Sequence, residues 1–380
     1  MHIGHFITDL NGRGGIETYV SRLGNGLSRR GHTVTYFGRR GTPTSDHIRV
    51  ADPSALYATA RELDIDVLHL HKAISAQPPA DISVLRTVHD NGASCPSGSR
   101  YLRRTGSPCP RIASLPACLF GHYVDGCGSR RPLKVWENFQ RLADNRRVLP
   151  EIRTVTVSQY VKDEMMTLGY PAEDLHVVLS PAPRGPSAPA PLSTNVPPRL
   201  LFVGRLVPEK GVDVLLRSIA ALKVPIHLDI AGAGDHLAAL EEQVTHLNLQ
   251  DSVTFHGWVD GPALNDLFEA ARAVVVPSAW HEPAGLVPLE AAARGRAVVA
   301  SRVGGLTEYA HPSFSLLVPP NDEAALTAAL HKVCTDAEEA SRLGQAGYAH
   351  VRRHHAMDDF LTQHEALYTA LRSPSSYPVC

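Results

Sequence analysis

Two glutamates and two cations carry the chemistry that this sequence can offer. Glu282 and Glu290 stand eight residues apart, one in a Pro/Gly-containing turn and the other in the helical run 286–294. Gly285 lets the backbone come close to a ligand, and the N–H groups that follow open a helix, where an anion is favoured. Arg205 and Lys210 stand five residues apart in Gly204-Arg205-Leu206-Val207-Pro208-Glu209-Lys210-Gly211. A guanidinium takes phosphate oxygens bidentately and an ammonium adds a point charge, so this pair could converge on one diphosphate. As isolated side chains, all four would be ordinary solvated charges.

Their elements argue otherwise. Residues 274–276 form an apolar β-branched run that reads as a buried parallel strand, stopped by Pro277 and Ser278, and 297–300 is a second such strand. The turn between them falls at the carboxyl ends of the strands, where open α/β sheets bind ligands. The strand 200–203 delivers Gly204 and Arg205 to the same edge. Further on, 226–230 leads into the glycine turn at Gly232, and Trp258 and Val259 follow an apolar run.

The N-terminal half alternates in the same way. A strand at 3–7 is followed by Asn11-Gly12-Arg13-Gly14-Gly15 and a helix at 16–30, with apolar residues at Ile16, Tyr19, Val20, Leu23 and Leu27. A glycine turn there brings bare backbone N–H groups to a phosphate, although its spacing is not the dinucleotide fingerprint. Strands at 33–37, 67–70 and 84–88 and a helix at 53–63 come next. His71 ends one strand, and His89 and Asp90 end another, all on the ligand side. Asp64-Ile65-Asp66 lies on the opposite edge and reads as solvated charge. A helix at 133–149, a strand at 154–157, a helix capped by Ser158 and a strand at 177–179 complete this half.

Residues 181–199 hold seven prolines and read as an extended linker. The expected organisation is an N-terminal domain over 1–180, a linker over 181–198, a second domain over 199–355, and a helix near 356–372 that crosses back. With 380 residues, 43% apolar and 20% charged, the chain is an ordinary globular protein. A net charge of −1 gives no footprint for nucleic acid. No apolar run reaches spanning length, and a strand starting at residue 2 leaves no room for a signal peptide, so a cytoplasmic enzyme is expected.

Taken together, these motifs resemble the retaining glycosyltransferases of family four, which have the GT-B architecture of two Rossmann-like doubly wound domains facing across a cleft. Glu282 and Glu290 match their Glu-x7-Glu signature, within Glu282-Pro283-Ala284-Gly285-Leu286. Gly204 to Gly211 matches their Gly-Arg-x4-Lys-Gly motif. The resemblance implies transfer of a hexosyl or N-acetylhexosaminyl group from a UDP- or GDP-sugar to an acceptor hydroxyl, with no required cofactor and no metal. Arg205 and Lys210 would hold the diphosphate, Glu282 the sugar hydroxyls and Glu290 the ribose. Gly14, Gly15, Gly204, Gly232, Val259, Pro283, Ala284, Gly285 and Leu286 would line the donor site. His89 would touch the sugar near its reacting carbon. A sugar-nucleotide epimerase of the same architecture and a non-catalytic sugar-nucleotide binder are the alternatives. No aromatic-rich or basic amphipathic helix marks the N-terminal half for lipid docking, so a small soluble acceptor is expected. Where relatives continue with Asn-Gly-Val-Asp, this chain has Ser180-Pro181-Ala182-Pro183.

One stretch stands apart. Residues 91–130 are irregular and contain Cys95, Cys109, Cys118 and Cys127 out of six cysteines in all. Free thiols, a zinc site and disulfides all fit, and the gaps match no zinc signature.

Overall fold

The computed structural model describes residues 1–9, 11, 14–189, 191–192 and 197–372. The first sheet is built from β1 (His2–Asp9), β2 (Thr33–Arg40), β3 (His47–Arg49), β4 (Val67–Leu70) and β5 (Val84–Val88). After a small hairpin, β6 (Tyr101–Leu102) with β7 (Ser107–Pro108), it resumes with β8 (Thr154–Thr156) and β9 (Leu175–Val177). All its pairings are parallel, in the order β3-β2-β1-β4-β5-β8-β9.

The second sheet comprises β10 (Arg199–Val203), β11 (His227–Ala231), β12 (Val253–Gly257), β13 (Ala273–Val276), β14 (Ala297–Ser301) and β15 (Ser315–Val318). It is also parallel, in the order β12-β11-β10-β13-β14-β15. Each is a doubly wound sheet, and the reason lies in the side-chain period of two. Leu200, Phe202, Val275 and Val299 face one apolar layer, while Leu201, Val274, Val276, Val298 and Ala300 face the other. Strands that are apolar at every position must be covered on both faces.

The helix Met357–Arg372 lies against the first sheet rather than the second. Phe360, Leu361 and Tyr368 enter the N-terminal core, and Arg30 pairs with Glu365 at 2.6 Å. The proline-rich segment, where described, is laid along the second domain. The Tyr348 hydroxyl donates to the carbonyls of Pro186 and Ser187, and Arg296 donates to Pro191. No helix among the described residues is long and apolar enough to cross a membrane.

Three local expectations need correction. The strand expected at 177–179 runs from Leu175 to Val177, because Leu175 supplies the buried anchor. The short β3 pairs through Tyr36 and Gly38 after a polar stretch that carries no strand signal. Asp66 is more than solvated charge: its carboxylate accepts the His2 amide at 2.7 Å and pairs with Arg372 at 3.0 Å, fastening the closing helix to the start of β1.

Candidate active site

In the second domain Lys210 and Glu282 meet. The turn Pro208–Lys210 ends in Gly211, whose φ of +69° suits glycine and whose absent Cβ would lie 2.1 Å from the Pro277 carbonyl oxygen. The Ala279 amide donates back to the Glu209 carbonyl at 2.9 Å, so the turn after β10 is laced to the loop after β13. Lys210 Nζ consequently reaches Glu282 Oε1 at 2.5 Å, and the Ser278 hydroxyl donates to the same oxygen at 2.6 Å. Lys210 also lies 5.5 Å from the Trp280 ring centre. Glu282 is only 6% exposed, so both charges depend on this pairing. Its carbonyl accepts the Gly305 amide at 2.7 Å. Gly304, at φ +50°, lets the chain pass 2.5 Å from where a Cβ would meet that carbonyl.

Arg205 is not part of this pair. It is exposed, and no ion pair or hydrogen bond holds its guanidinium among the described residues. The expected convergence on a diphosphate is therefore half built: Lys210 is fixed and Arg205 is swung into solvent. Gly204 and Gly232 do come together, since a Cβ on Gly232 would lie 1.8 Å from the Gly204 carbonyl oxygen. Close backbone packing accounts for Gly232 without any ligand. Val259 is half-buried against the core, whereas Trp258 is 54% exposed and not a core tryptophan.

Glu290 sits in the helix Leu286–Ala292 and faces the opposite domain. Arg22 of the first domain approaches its carboxylate at 3.7 Å while donating to the Pro181 carbonyl. Burial raises the Glu290 carboxyl above its usual range, and Arg22 and Arg294 oppose that rise. Neither partner was legible in the sequence.

Across the cleft, a Cβ on Gly15 would stand 3.7 Å from Leu286, so the Gly14–Gly15 turn faces the Glu282–Glu290 segment. His89 is reached through the same helix, with the Tyr19 ring 4.7 Å from its own, edge-on. Behind His89 runs a chain of buried rings. His89 Nε2 lies 2.9 Å from His71 Nδ1, and His71 Nε2 lies 3.0 Å from His5 Nδ1. His5 Nε2 is buried without a partner among the described residues. An orphaned lone pair costs less than an orphaned N–H, so the protons run from His5 toward His89. That polarity leaves His89 with its proton on Nδ1, as a donor. Burial, with Arg86 next, pulls the His89 pKa down to about 3, so the ring stays neutral.

The seam between the domains is made by residues for which the sequence signals no interdomain role. Asn91 donates to the His281 carbonyl at 2.9 Å, and Ser158, besides capping its helix, donates to the Pro283 carbonyl at 2.6 Å. The Glu308 carboxylate accepts the amides of Gln159 and Tyr160, and the Tyr309 hydroxyl donates to Val157 O at 2.6 Å. Ala284 packs on the cores of both domains. The His281 ring stacks on Tyr160 and bonds to the Cys109 backbone, so the cysteine-bearing stretch touches the loop that carries Glu282. That stretch also exposes Ile112, Leu115 and Phe120, and the helix Pro132–Val148 that follows it exposes Leu133 and Trp136. Apolar side chains in the N-terminal half are thus more available to partners than its helical periodicity indicates.

Comparison with known proteins fits this geometry. Residues 13–181 match Glycosyltransferase Family 4, and residues 189–350 match glycosyl transferases group 1. Glycogen synthase of Mycobacterium tuberculosis is 30% identical over 325 residues, covering 82% of this chain and 69% of that protein. The D-inositol 3-phosphate glycosyltransferase of Stackebrandtia nassauensis is 30% identical over 269 residues, covering 64% of this chain and 60% of its own length. An uncharacterized glycosyltransferase of Methanocaldococcus jannaschii is 38% identical over 140 residues, and the match spans 36% of each chain. Among solved structures, sucrose-phosphate synthase of Thermosynechococcus elongatus superposes with a TM-score of 0.76 at 23% identity, covering 98% of this chain and 100% of that one. The Anabaena protein HepE, solved with UDP-glucose, gives 0.71 at 16% identity, with 97% and 100% covered. Two parallel α/β domains, each matching a glycosyltransferase family model of its own, and a glycosyltransferase relative covered over 69% of its length settle the assignment: the chain belongs to the GT-B glycosyltransferases.

Proposed function

We propose that this protein transfers a sugar from a nucleotide-diphospho-sugar to an acceptor hydroxyl with retention of anomeric configuration. The observation that carries this reading is the meeting of Lys210, Glu282, the Gly14–Gly15 turn and His89 at one cleft. The second domain takes the nucleotide, with Glu290 at the ribose once Arg22 yields or shares its carboxylate. Glu282 serves the sugar hydroxyls and keeps Lys210 placed for the diphosphate. Arg205 folds in when the diphosphate arrives. His89 donates a neutral hydrogen bond to the sugar.

The acceptor hydroxyl attacks on the face the diphosphate leaves, and a donor phosphate oxygen takes its proton. The protein's share is positioning and stabilising charge on the leaving group. A UDP- or GDP-sugar is the donor, and the cations make a divalent metal unnecessary. A small soluble acceptor is the first reading. An acceptor with an apolar anchor is the second, favoured by the exposed Leu115, Phe120, Leu133 and Trp136.

A donor panel read by thermal shift tests the donor side. The matching nucleotide diphosphate should raise the melting temperature, and at a concentration 100-fold above Kd it adds about 2.7 kcal/mol. Glu290→Gln should weaken that nucleotide about tenfold, or about 1.4 kcal/mol. Glu282→Gln should also weaken it, because it releases Lys210. No response to any UDP- or GDP-compound would reject the donor assignment.

A further inference from the structure

The cysteine-bearing stretch folds into a lobe with little apolar core beyond Ala93, Tyr101 and Leu102. Its helix Leu115–Phe120 buries no residue fully, and Ile112, Leu115 and Phe120 point outward at 50% exposure or more. What the lobe turns inward instead is sulfur. Cys95, Cys109, Cys118 and Cys127, far apart in sequence, all line one cavity of about 20 Å³. That is room for a single water or ion. Among the described residues, none of the four forms a disulfide.

His122 supplies a second, independent observation. It is fully buried on the same cavity wall, its Nδ1 bonds to the Ser129 carbonyl at 3.0 Å, and its Nε2 has no partner among the described residues. A carbonyl at Nδ1 fixes the proton there and leaves a lone pair on Nε2, the arrangement found where histidine ligates a metal.

We propose that this lobe is a structural zinc site, with Cys95, Cys109, Cys118 and Cys127 as its four thiolate ligands and His122 lining the same cavity beside them. The four thiols give up four protons to solvent as one Zn²⁺ enters, and the net charge of the metal with its ligands becomes −2. Zinc is the ion for soft sulfur donors in a closed tetrahedral set. The sulfurs ring the cavity without having closed to metal-bound separations. Among the described residues, the group whose ligand atoms lie within 4.8 Å of one another is His5, His69 and His71. Those nitrogens are close for another reason, since His5 and His71 bond to each other while His69 bonds to Tyr368 and Thr87. Zinc would draw the thiolates inward to about 2.3 Å and give the lobe the centre it lacks.

The position gives the site a consequence. Arg100 of this lobe pairs with Glu164 at 2.5 Å, Asn321 of the second domain donates to the Gly106 carbonyl, and the Cys109 backbone holds His281. A metal-fastened lobe would therefore hold one wall of the cleft.

The full-length protein, purified under reducing conditions without chelator, should contain about one zinc per chain by plasma mass spectrometry. The double variant Cys118→Ser/Cys127→Ser should retain less than a tenth of that. Because that variant could misfold, the wild-type chain stripped of metal should also be titrated with Co²⁺. One equivalent should bind, release protons and produce thiolate-to-cobalt charge-transfer absorption. No metal in the purified protein together with no Co²⁺ uptake would overturn the proposal. So would an intact mass short by four hydrogens, which means two disulfides, or zinc that persists in the double variant.

Discussion

Lys210→Ala should lower sugar transfer by a factor on the order of 10²–10³, the scale for losing one donor aimed at developing negative charge. It should also destabilise the fold by about 3–5 kcal/mol, because Glu282 is left buried with only the Ser278 hydroxyl. The two effects are separable. In Lys210→Met/Glu282→Gln both members become neutral at similar volume, and a neutral pair is far cheaper to bury. Stability should return to within about 1 kcal/mol of the starting protein, while transfer stays lost. Urea unfolding and initial rates on the same preparations make the comparison. If transfer recovers along with stability, Lys210 is only the counter-ion of Glu282 and the phosphate role is wrong.

Acid should destabilise this protein steeply in the pH range where histidines titrate. His5, His69, His71 and His364 are each 0–1% exposed. Burial is the leading cause of every shift, pulling His5 down to about 3, His364 to about 4, and His69 and His71 well below their ordinary value. In the unfolded chain all four ionise near pH 6.5. Between that value and the folded ones, the unfolded state binds more protons, so stability falls as pH falls. Above about pH 6.5 the effect is absent. Each histidine contributes at most about 1.4 kcal/mol per pH unit, so four give a limit of about 5 kcal/mol per unit. Unfolding free energies at pH 7.5, 6 and 5 should show this slope, and a flat profile would mean the rings are not buried neutral.

What could be read in the sequence depended on how local the cause was. β4 and β5 were legible to the residue because both are short runs led and closed by buried apolar residues, with only His69 in one and Arg86 and Thr87 in the other interrupting them. Lys210 and Glu282 were legible as neighbours of strand ends, but their mutual bond was not. It depends on a loop–loop lacing through Gly211 and Ala279 that no spacing encodes. The histidine network was hidden for the same reason. His5, His71 and His89 reach one another only because β1, β4 and β5 are adjacent in the sheet, and His364 arrives on a helix from the far end of the chain. His71 alone reads as a strand-end histidine, whereas in the fold it sets the tautomer of His89. The cysteine lobe resisted reading because its order comes from long-range contacts, such as the buried Asp125 paired with the more exposed Arg104 and Arg111, rather than from apolar periodicity.

The most direct test of glycosyl transfer with retention is to identify the product. The protein would be incubated with UDP- and GDP-sugars and with water-soluble and apolar-anchored acceptors, and the mixture followed by NMR. The expected result is a new glycoside whose anomeric configuration equals that of the donor, formed in step with one nucleoside diphosphate. An inverted glycoside would contradict retention. A rearranged nucleotide-sugar with no diphosphate released would contradict transfer itself.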